Sequence, residues 1–305
     1  MIRLSEICKS DWQLIRDGEF ESLGLCNARA GIPLLTFCGN QKFLETALRN
    51  KDISCVMIPL EMAETLTDFQ KGVIAVPDLR IDFFSLHNEL CGGSLAERYR
   101  GTFTPTEIGN NCVISEQAAI DPEGVSIGMG TVIEPFVRIH AGTTIGENCI
   151  IRSGTVLGGT GLEFIRYEGG ILPVHHQGKL VIGDTVEIQY NCNVSRSLFP
   201  WHKTIIGDES KIESLVHIAH GVHIGKRALI AASACIAGSA ILGDDVWVGP
   251  NATISSEVRI GDRARVNLGA VAAGNVGKGE TVTGNFALPP ALFMQAYMDI
   301  LRKEY

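Results

Sequence analysis

The densest group of histidines in the chain lies in the stretch VHIAHGVHIG, residues 216–225. Imidazole is the side chain best suited to general acid–base catalysis near neutral pH. Gly238 follows His220 by 18 residues, within the stretch IAGS at 236–239. A histidine base beside a free backbone N–H is the minimum arrangement for acyl transfer, because the imidazole removes a proton from the nucleophile and the N–H stabilises the oxyanion. Whether His220 and Gly238 meet depends on the fold.

An aliphatic residue recurs at every sixth position from Ile206 to Val266, and a small or narrow residue follows each one four positions later. A period of six fits neither the 3.6-residue helical repeat nor the two-residue alternation of a strand. It predicts a parallel β-helix built of hexapeptide repeats. Three hexads form one coil of 18 residues, so each residue lies beside the one 18 positions later. His220 and Gly238 are therefore expected to be neighbours.

The same register extends back to Ile108 and is broken twice, over residues 158–181 and 195–205. The anchors number 23 and predict between seven and eight coils. Loops that leave a rigid solenoid usually line its binding face. The two breaks are therefore expected to carry specificity, and His175 and His176 in the first break are candidate substrate-loop residues.

The rest of the chain follows other patterns. Residues 1–104 combine short apolar strands with amphipathic helices, such as a strand at 33–37 and a helix at 41–49, and predict a small α/β domain. The β-helix is expected over 105–286. A C-terminal helix is expected over 287–305, where an apolar stripe follows two prolines and predicts packing against the solenoid or a neighbouring subunit. The fold class is mainly β.

Composition excludes several classes of partner. The net charge of −8 argues against nucleic acid or an anionic membrane as the main partner. The nine scattered cysteines indicate reduced thiols and a cytoplasmic protein. The first residues lack the features of a signal peptide, and no stretch approaches the ~20 apolar residues of a membrane span.

Other polar residues near His220 have open or secondary roles. His217 and His223 each precede an inward anchor and point outward, as solvated surface residues or as substrate-loop residues. Glu213 is predicted to orient the His220 imidazole and favour its protonated state. A zinc hydratase resembling the gamma carbonic anhydrases is the alternative chemistry. Histidines six apart fall on successive faces and no other ligand cluster is evident, so no metal site is expected.

Several motifs resemble one family, the UDP-3-O-acylglucosamine N-acyltransferases of lipid A assembly. KIESLVHIAH at 211–220, followed by IAGS at 236–239, is similar to the core motif of that family. LTFCGNQKF at 35–43 resembles its uridine-binding segment, and VIGDTVEI at 181–188 and the HQG loop at 176–178 are also similar. The resemblance covers nearly the whole chain in order. It implies a left-handed β-helix and a homotrimer with active sites between subunits.

The resemblance also implies residue roles. His220 is the expected general base and Gly238 the expected oxyanion donor. Phe37, Asn40 and Phe43 would hold a uracil by stacking and hydrogen bonding, which makes the α/β domain a nucleotide-binding domain.

The chain departs from the family pattern at five places. Glu213 and Ser214 stand where Asp and Asn are expected, Phe43 stands for Tyr, Glu257 stands for a further His, and SRS at 195–197 stands for Asp-Arg-Gly. The C-terminal extension that engages acyl carrier protein is reduced to one helix. These departures concern the surroundings of the substrates more than the catalytic pair.

The sequence therefore predicts an N-acyltransferase that moves an acyl group from a CoA or acyl-carrier-protein thioester to the amine of a nucleotide-linked amino sugar, with no permanently bound cofactor. One alternative is the lipid A enzyme itself. Alternatives of another class are a metal-dependent hydratase and a non-catalytic scaffold that binds sugar nucleotides.

Overall fold

The computed structural model describes residues 1–66, 70–284 and 287–304. Most of this chain forms a left-handed parallel β-helix with three faces, as predicted. Its strands run through the faces in turn, so that successive strands of one face belong to successive coils.

Within the described chain, each face of the β-helix is a sheet of eight or nine strands. The first face contains Glu107–Ile108, Val125–Ile127, Thr143–Ile145, Lys179–Ile182, Lys203–Ile206, His223–Ile224, Ile241–Leu242 and Arg259–Ile260. The second face contains Val113–Ile114, Val132–Ile133, Ile150–Ile151, Glu187–Ile188, Lys211–Ile212, Leu229–Ile230, Trp247–Val248, Arg265–Val266 and Thr281–Val282. The third face contains Ala119–Ile120, Arg138–Ile139, Val156–Gly159, Asn193–Ser195, His217–Ile218, Cys235–Ile236, Thr253–Ile254 and Val271–Ala272.

The register of 18 residues is confirmed strand by strand where the coils are uninterrupted. Ile218 pairs with Ile236, and His217 pairs with Cys235. The inward anchors Ile212, Ile218 and Ile236 are fully buried in one continuous core. Each such side chain contributes roughly 1.5–3 kcal/mol relative to exposure. The aliphatic column therefore makes the solenoid a rigid support for whatever lies at its corners.

The N-terminal part contains a five-stranded sheet in the spatial order Gln13–Arg16, Gly72–Val76, Ile53–Pro59, Leu34–Phe37 and Ser22–Leu23. The last four strands run parallel, and the first pairs antiparallel. The helices are α1 (Leu4–Ile7), α2 (Gln41–Arg49), α3 (Leu79–Gly92) and α4 (Ala96–Arg100), with a 3-10 helix at Leu60–Leu66 and a two-stranded pair of Ile2–Arg3 with Glu19–Phe20. The strand predicted at 33–37 and the helix predicted at 41–49 are confirmed.

Both register breaks pack against this N-terminal part. The first break contains an antiparallel hairpin, Phe164–Tyr167 with Gly170–Pro173. Phe199 of the second break is buried, with its ring centroid 6.3 Å from that of Phe83 on α3. The Trp201 indole N–H donates to the Leu23 carbonyl at 2.8 Å. The loops that leave the solenoid are therefore held by apolar and polar contacts, while the domain boundary at residue 104 stays a prediction.

A C-terminal helix, α5 (Pro290–Glu304), ends the described chain. Leu292 and Phe293 of its apolar stripe are 54% and 52% exposed, so these two side chains are not buried against the solenoid of the same chain. The stripe residues Tyr297, Ile300 and Leu301 have side chains outside the described part. Among the described residues, no helix combines the length and apolar character needed to cross a membrane.

Candidate active site at the corner between the third and first faces

His220 and Gly238 lie on one corner of the solenoid, one coil apart. The Ser239 N–H donates to the His220 carbonyl at 2.9 Å, which fixes the stacking of the two turns. A methyl group placed on Gly238 would lie 3.0 Å from His220 Nε2, so the glycine backbone directly faces the imidazole. Within the described chain the Gly238 N–H has no hydrogen-bond acceptor. The neighbourhood deduced from the 18-residue register is present.

A carboxylate approaches the same imidazole nitrogen. Glu163 Oε2 lies 3.8 Å from His220 Nε2, and both side chains are about one-fifth exposed. Glu163 stands just before the hairpin of the first register break, where the Val174 N–H donates to its carbonyl oxygen at 3.0 Å. The hairpin therefore carries this carboxylate over the corner.

The orienting role predicted for Glu213 is corrected by this geometry. Glu213 follows a strand of the second face, and its Oε2 accepts from the Ala232 N–H at 2.9 Å. It lines a cleft with Lys211 and Trp247. Its carboxylate stabilises the next turn of its own corner, and the carboxylate next to His220 is Glu163.

His176 is the second imidazole of the site. It is 2% exposed, and its ring centroid lies 5.5 Å from that of His220 in a T-shaped arrangement. Its Nδ1 lies 3.2 Å from the Val174 carbonyl oxygen, whereas its Nε2 is buried and has no hydrogen-bond partner within the described residues. A methyl group on Gly161 would lie 3.0 Å from His176 Nε2 and 3.3 Å from His220 Cδ2. The lack of a side chain at Gly161 therefore allows both imidazoles to reach the same space.

The other predicted substrate-loop histidines lie farther from this centre. His175 is exposed, and its carbonyl oxygen lies 2.7 Å from Nε2 of the buried His87 on α3. His217 is exposed on the third face. His223 is partly buried on the first face, with Nε2 3.1 Å from the Lys203 carbonyl oxygen. The geometry joins only His176 to His220.

The imidazoles of this corner favour their neutral forms. Burial lowers the pKa of His220 below its ordinary value of 6.5, Glu163 opposes the shift, and His217 adds to it. Burial lowers the pKa of His176 to about 4, and the pKa of His202, which lies in the second break, also to about 4. A neutral imidazole can accept a proton. At neutral pH His220 is therefore in the form that a general base requires.

We expect the free energy of unfolding to fall as the pH is lowered from about 7 to about 4. Burial depresses the folded-state pKa of His87, His176 and His202 to about 4, from an ordinary value of 6.5. Between these values the unfolded chain binds more protons, so the contribution is present above the unfolded pKa and is lost as the pH falls towards the folded pKa. Each group contributes on the order of 1–3 kcal/mol. Urea unfolding at a series of pH values measures the slope. A flat profile between pH 7 and pH 5 would contradict the burial of neutral histidines.

The predicted nucleotide-binding residues differ in accessibility. The Phe37 ring packs on Phe83 and Phe84, with centroids 4.7 Å and 6.1 Å away. Asn40 is the N-cap of α2, and its Oδ1 accepts from the Phe43 N–H at 3.1 Å. Phe43 itself is 47% exposed. Of the three, Phe43 therefore presents the most accessible aromatic surface.

Sequence reasoning missed Glu163 and His202 as members of the site. Both lie in the register breaks that the hexapeptide pattern singled out, which was the available signal. Nothing in the local sequence indicates that a hairpin returns Glu163 to the corner. Within the described residues there is also no group of three or more His, Cys, Asp or Glu placed to hold a metal ion.

Comparisons with known proteins agree with the fold. The family model for the bacterial transferase hexapeptide (six repeats) matches residues 124–159 and 203–238, and the model for the hexapeptide repeat of succinyl-transferase matches residues 221–256. The UDP-N-acetylglucosamine acyltransferase from Campylobacter jejuni superposes with a TM-score of 0.52 at 24% identity, covering 59% of this chain and 68% of that one. The Arabidopsis UDP-N-acetylglucosamine acyltransferase gives a TM-score of 0.50 at 25% identity, covering 59% and 67%.

Curated relatives match about half of the chain or less. UDP-3-O-acylglucosamine N-acyltransferase of Bordetella pertussis is 32% identical over 160 residues, which cover 50% of this chain and 43% of that protein. The protein of the same name from Coxiella burnetii is 40% identical over 103 residues, covering 33% and 30%. The chain thus spans less than half the length of these relatives. It is a hexapeptide-repeat protein similar to acyltransferases that act on UDP-linked sugars.

Proposed function

We propose that the protein is an N-acyltransferase that moves an acyl group from a CoA or acyl-carrier-protein thioester to the amine of a nucleotide-linked amino sugar. The observation that carries this proposal is the placement of Gly238 against Nε2 of His220, with the Gly238 N–H lacking an acceptor in the described chain. The names of the curated relatives, which act on a UDP-linked acylated glucosamine, support the same reaction type.

The geometry accounts for each part of the reaction. The acceptor amine must be neutral to attack the thioester carbonyl carbon, and His220, neutral at pH 7, can take the proton that the attacking nitrogen loses. The Gly238 N–H can donate to the oxyanion of the tetrahedral intermediate. Nitrogen–carbon bond formation is followed by carbon–sulfur cleavage, and the protonated His220 returns its proton to the thiolate. Because a thioester is already activated, the protein mainly supplies alignment.

The donor and acceptor are identified by one screen. Purified protein is mixed with short-chain acyl-CoA, long-chain acyl-CoA or long-chain acyl carrier protein, and with a panel of UDP- and TDP-amino sugars, while the released thiol is measured. We expect thiol release that depends on both substrates. Preference for a hydroxyacyl carrier protein and a UDP-3-O-acylglucosamine would favour the lipid A enzyme itself. Nucleotide-sugar binding with no thiol release under any combination would favour a non-catalytic scaffold.

The uracil or thymine base is proposed to stack on Phe43, beside Phe37 and Asn40. We expect Phe43→Ala to raise the KM for the nucleotide sugar about ten- to hundredfold and leave the donor KM unchanged, since stacking on an aromatic contributes roughly 1–3 kcal/mol per base. Leu48→Ala is the matched control, because Leu48 is 43% exposed at the other end of α2. Phe37→Ala and Asn40→Ala are less informative, since the first loses aromatic packing and the second a helix cap. An unchanged acceptor KM in Phe43→Ala would place the base elsewhere.

The remaining parts of the proposal rest on the resemblance and on composition. We propose a homotrimer with its sites between subunits, which also leaves room for α5 to cover its exposed Leu292 and Phe293 on a neighbouring subunit. The thioester donor is a substrate rather than a resident cofactor. A cytoplasmic location is proposed from the nine free thiols, several of which are buried.

A further inference from the structure

We infer that Glu163 binds the acceptor amine as its ammonium ion and thereby selects nitrogen acceptors over hydroxyl acceptors. This inference rests on the proposed function and adds a residue and a selectivity to the same site. It starts from the position of the carboxylate. Glu163 Oε2 lies 3.8 Å from His220 Nε2, the nitrogen that also faces Gly238. A carboxylate that only orients an imidazole binds the nitrogen remote from the reaction. Glu163 instead stands on the reacting side.

The Glu163 carboxylate lacks a cationic partner of its own. Among the described residues it forms no ion pair with Lys or Arg, and its only charged-group contact is with His220. Its side chain is 23% exposed. A mostly buried carboxylate without a cation is unfavourable, so a bound cation stabilises the site. The ligand that this arrangement accepts is a single ammonium group.

The groups that face His220 do not supply that cation. They are Glu163 on the first break, His176 on the same break, His202 on the second break and His217 on the third face. Burial lowers the pKa of each of these three histidines, so each is neutral at pH 7. The buried Nε2 of His176 has no hydrogen-bond partner in the described chain and can serve as a further neutral polar contact for the ligand.

The chemistry of the acceptor fits this pocket. Amines beside electron-withdrawing carbons, such as α-amino groups, titrate near ~7.7–8.0, so a sugar amine is largely an ammonium ion at neutral pH. Glu163 binds that ion, and one proton leaves to bulk solvent. The neutral amine then attacks the thioester carbonyl carbon, His220 takes the second proton, and the carbon–sulfur bond breaks. A hydroxyl acceptor carries no charge at any stage before attack and gains nothing from Glu163.

The test compares Glu163→Gln and Glu163→Asp with the wild type. The acceptors are the nucleotide amino sugar found by the thiol-release screen and its counterpart with a hydroxyl at the same carbon, used as a competitive inhibitor. We expect Glu163→Gln to raise the amine KM about ten- to hundredfold, the size of one lost charge-assisted hydrogen bond, with a smaller change in kcat. The inhibition constant of the hydroxyl compound should stay within about twofold. Glu163→Asp, which keeps the charge, should fall between the two. Glu168→Gln, an exposed residue of the same hairpin, is the matched control.

A second readout does not depend on turnover. Because Glu163 raises the pKa of His220 against the effect of burial, Glu163→Gln should lower the His220 pKa measured by NMR titration. Unchanged selectivity for amine over hydroxyl in an active Glu163→Gln enzyme would overturn the inference alone. So would an equal loss of affinity for both compounds, which indicates a structural role. Absence of thiol release by the wild type with every amine would overturn the proposed function and this inference together.

Discussion

Replacing His220 by alanine should lower turnover by roughly 10²–10⁴, the usual effect of removing a general base. The folded protein should be little affected, because His220 lies on a corner and not among the inward anchors of the solenoid. The expected signature is therefore a loss in kcat with the free energy of unfolding changed by less than about 1 kcal/mol. Steady-state thiol release and urea unfolding of the same preparation measure the two quantities.

The pH dependence separates a lost base from a distorted site. In the wild type, activity should fall as the pH drops through the His220 pKa, which burial places below 6.5. In His220→Ala this limb is absent, and raising the pH should recover part of the rate, since more acceptor amine is then neutral without help. His140→Ala is the matched control, because it removes an imidazole from the same corner three coils earlier. Near-normal turnover of His220→Ala at neutral pH would rule out this mechanism.

The sequence predicted the support of the site because the physical cause is local and repeated. An aliphatic anchor at every sixth position can be buried only by a three-faced coil, and the 18-residue offset then places Gly238 against His220 by arithmetic. The register does not depend on contacts distant in sequence. That part of the candidate site is therefore readable from the printed chain.

The loops were not readable in the same way. Glu163 and Glu213 are both acidic residues near the motif in sequence or register, and only the path of the hairpin decides which one reaches the imidazole. The strand that carries Phe37 has four residues, and its sequence does not show that α3 lies against that ring. Long-range packing of irregular segments determines both outcomes. These are the places where sequence reasoning assigned the wrong carboxylate and could not rank the aromatics.

Gly238→Ala should lower kcat by about 10²–10³, the typical effect of losing one oxyanion donor. The added methyl group would lie 3.0 Å from Nε2 and 3.2 Å from Cε1 of His220, tighter than ordinary van der Waals contact. The methyl group occupies the space that the thioester oxygen needs, and it displaces the imidazole by a few tenths of an ångström. Both effects act on the transition state, so the donor KM should change much less than kcat.

Gly274→Ala is the control for Gly238→Ala, since a methyl group at Gly274 meets no atom within 4 Å. It should keep wild-type turnover. The double variant His220→Ala with Gly238→Ala should lose less activity than the product of the two single losses, because the base and the N–H stabilise one transition state. Thiol release by the wild type, the two single variants and the double variant under one set of conditions completes the cycle. If the two losses multiplied fully, His220 and Gly238 would be acting in separate steps, and the shared oxyanion site would have to be abandoned.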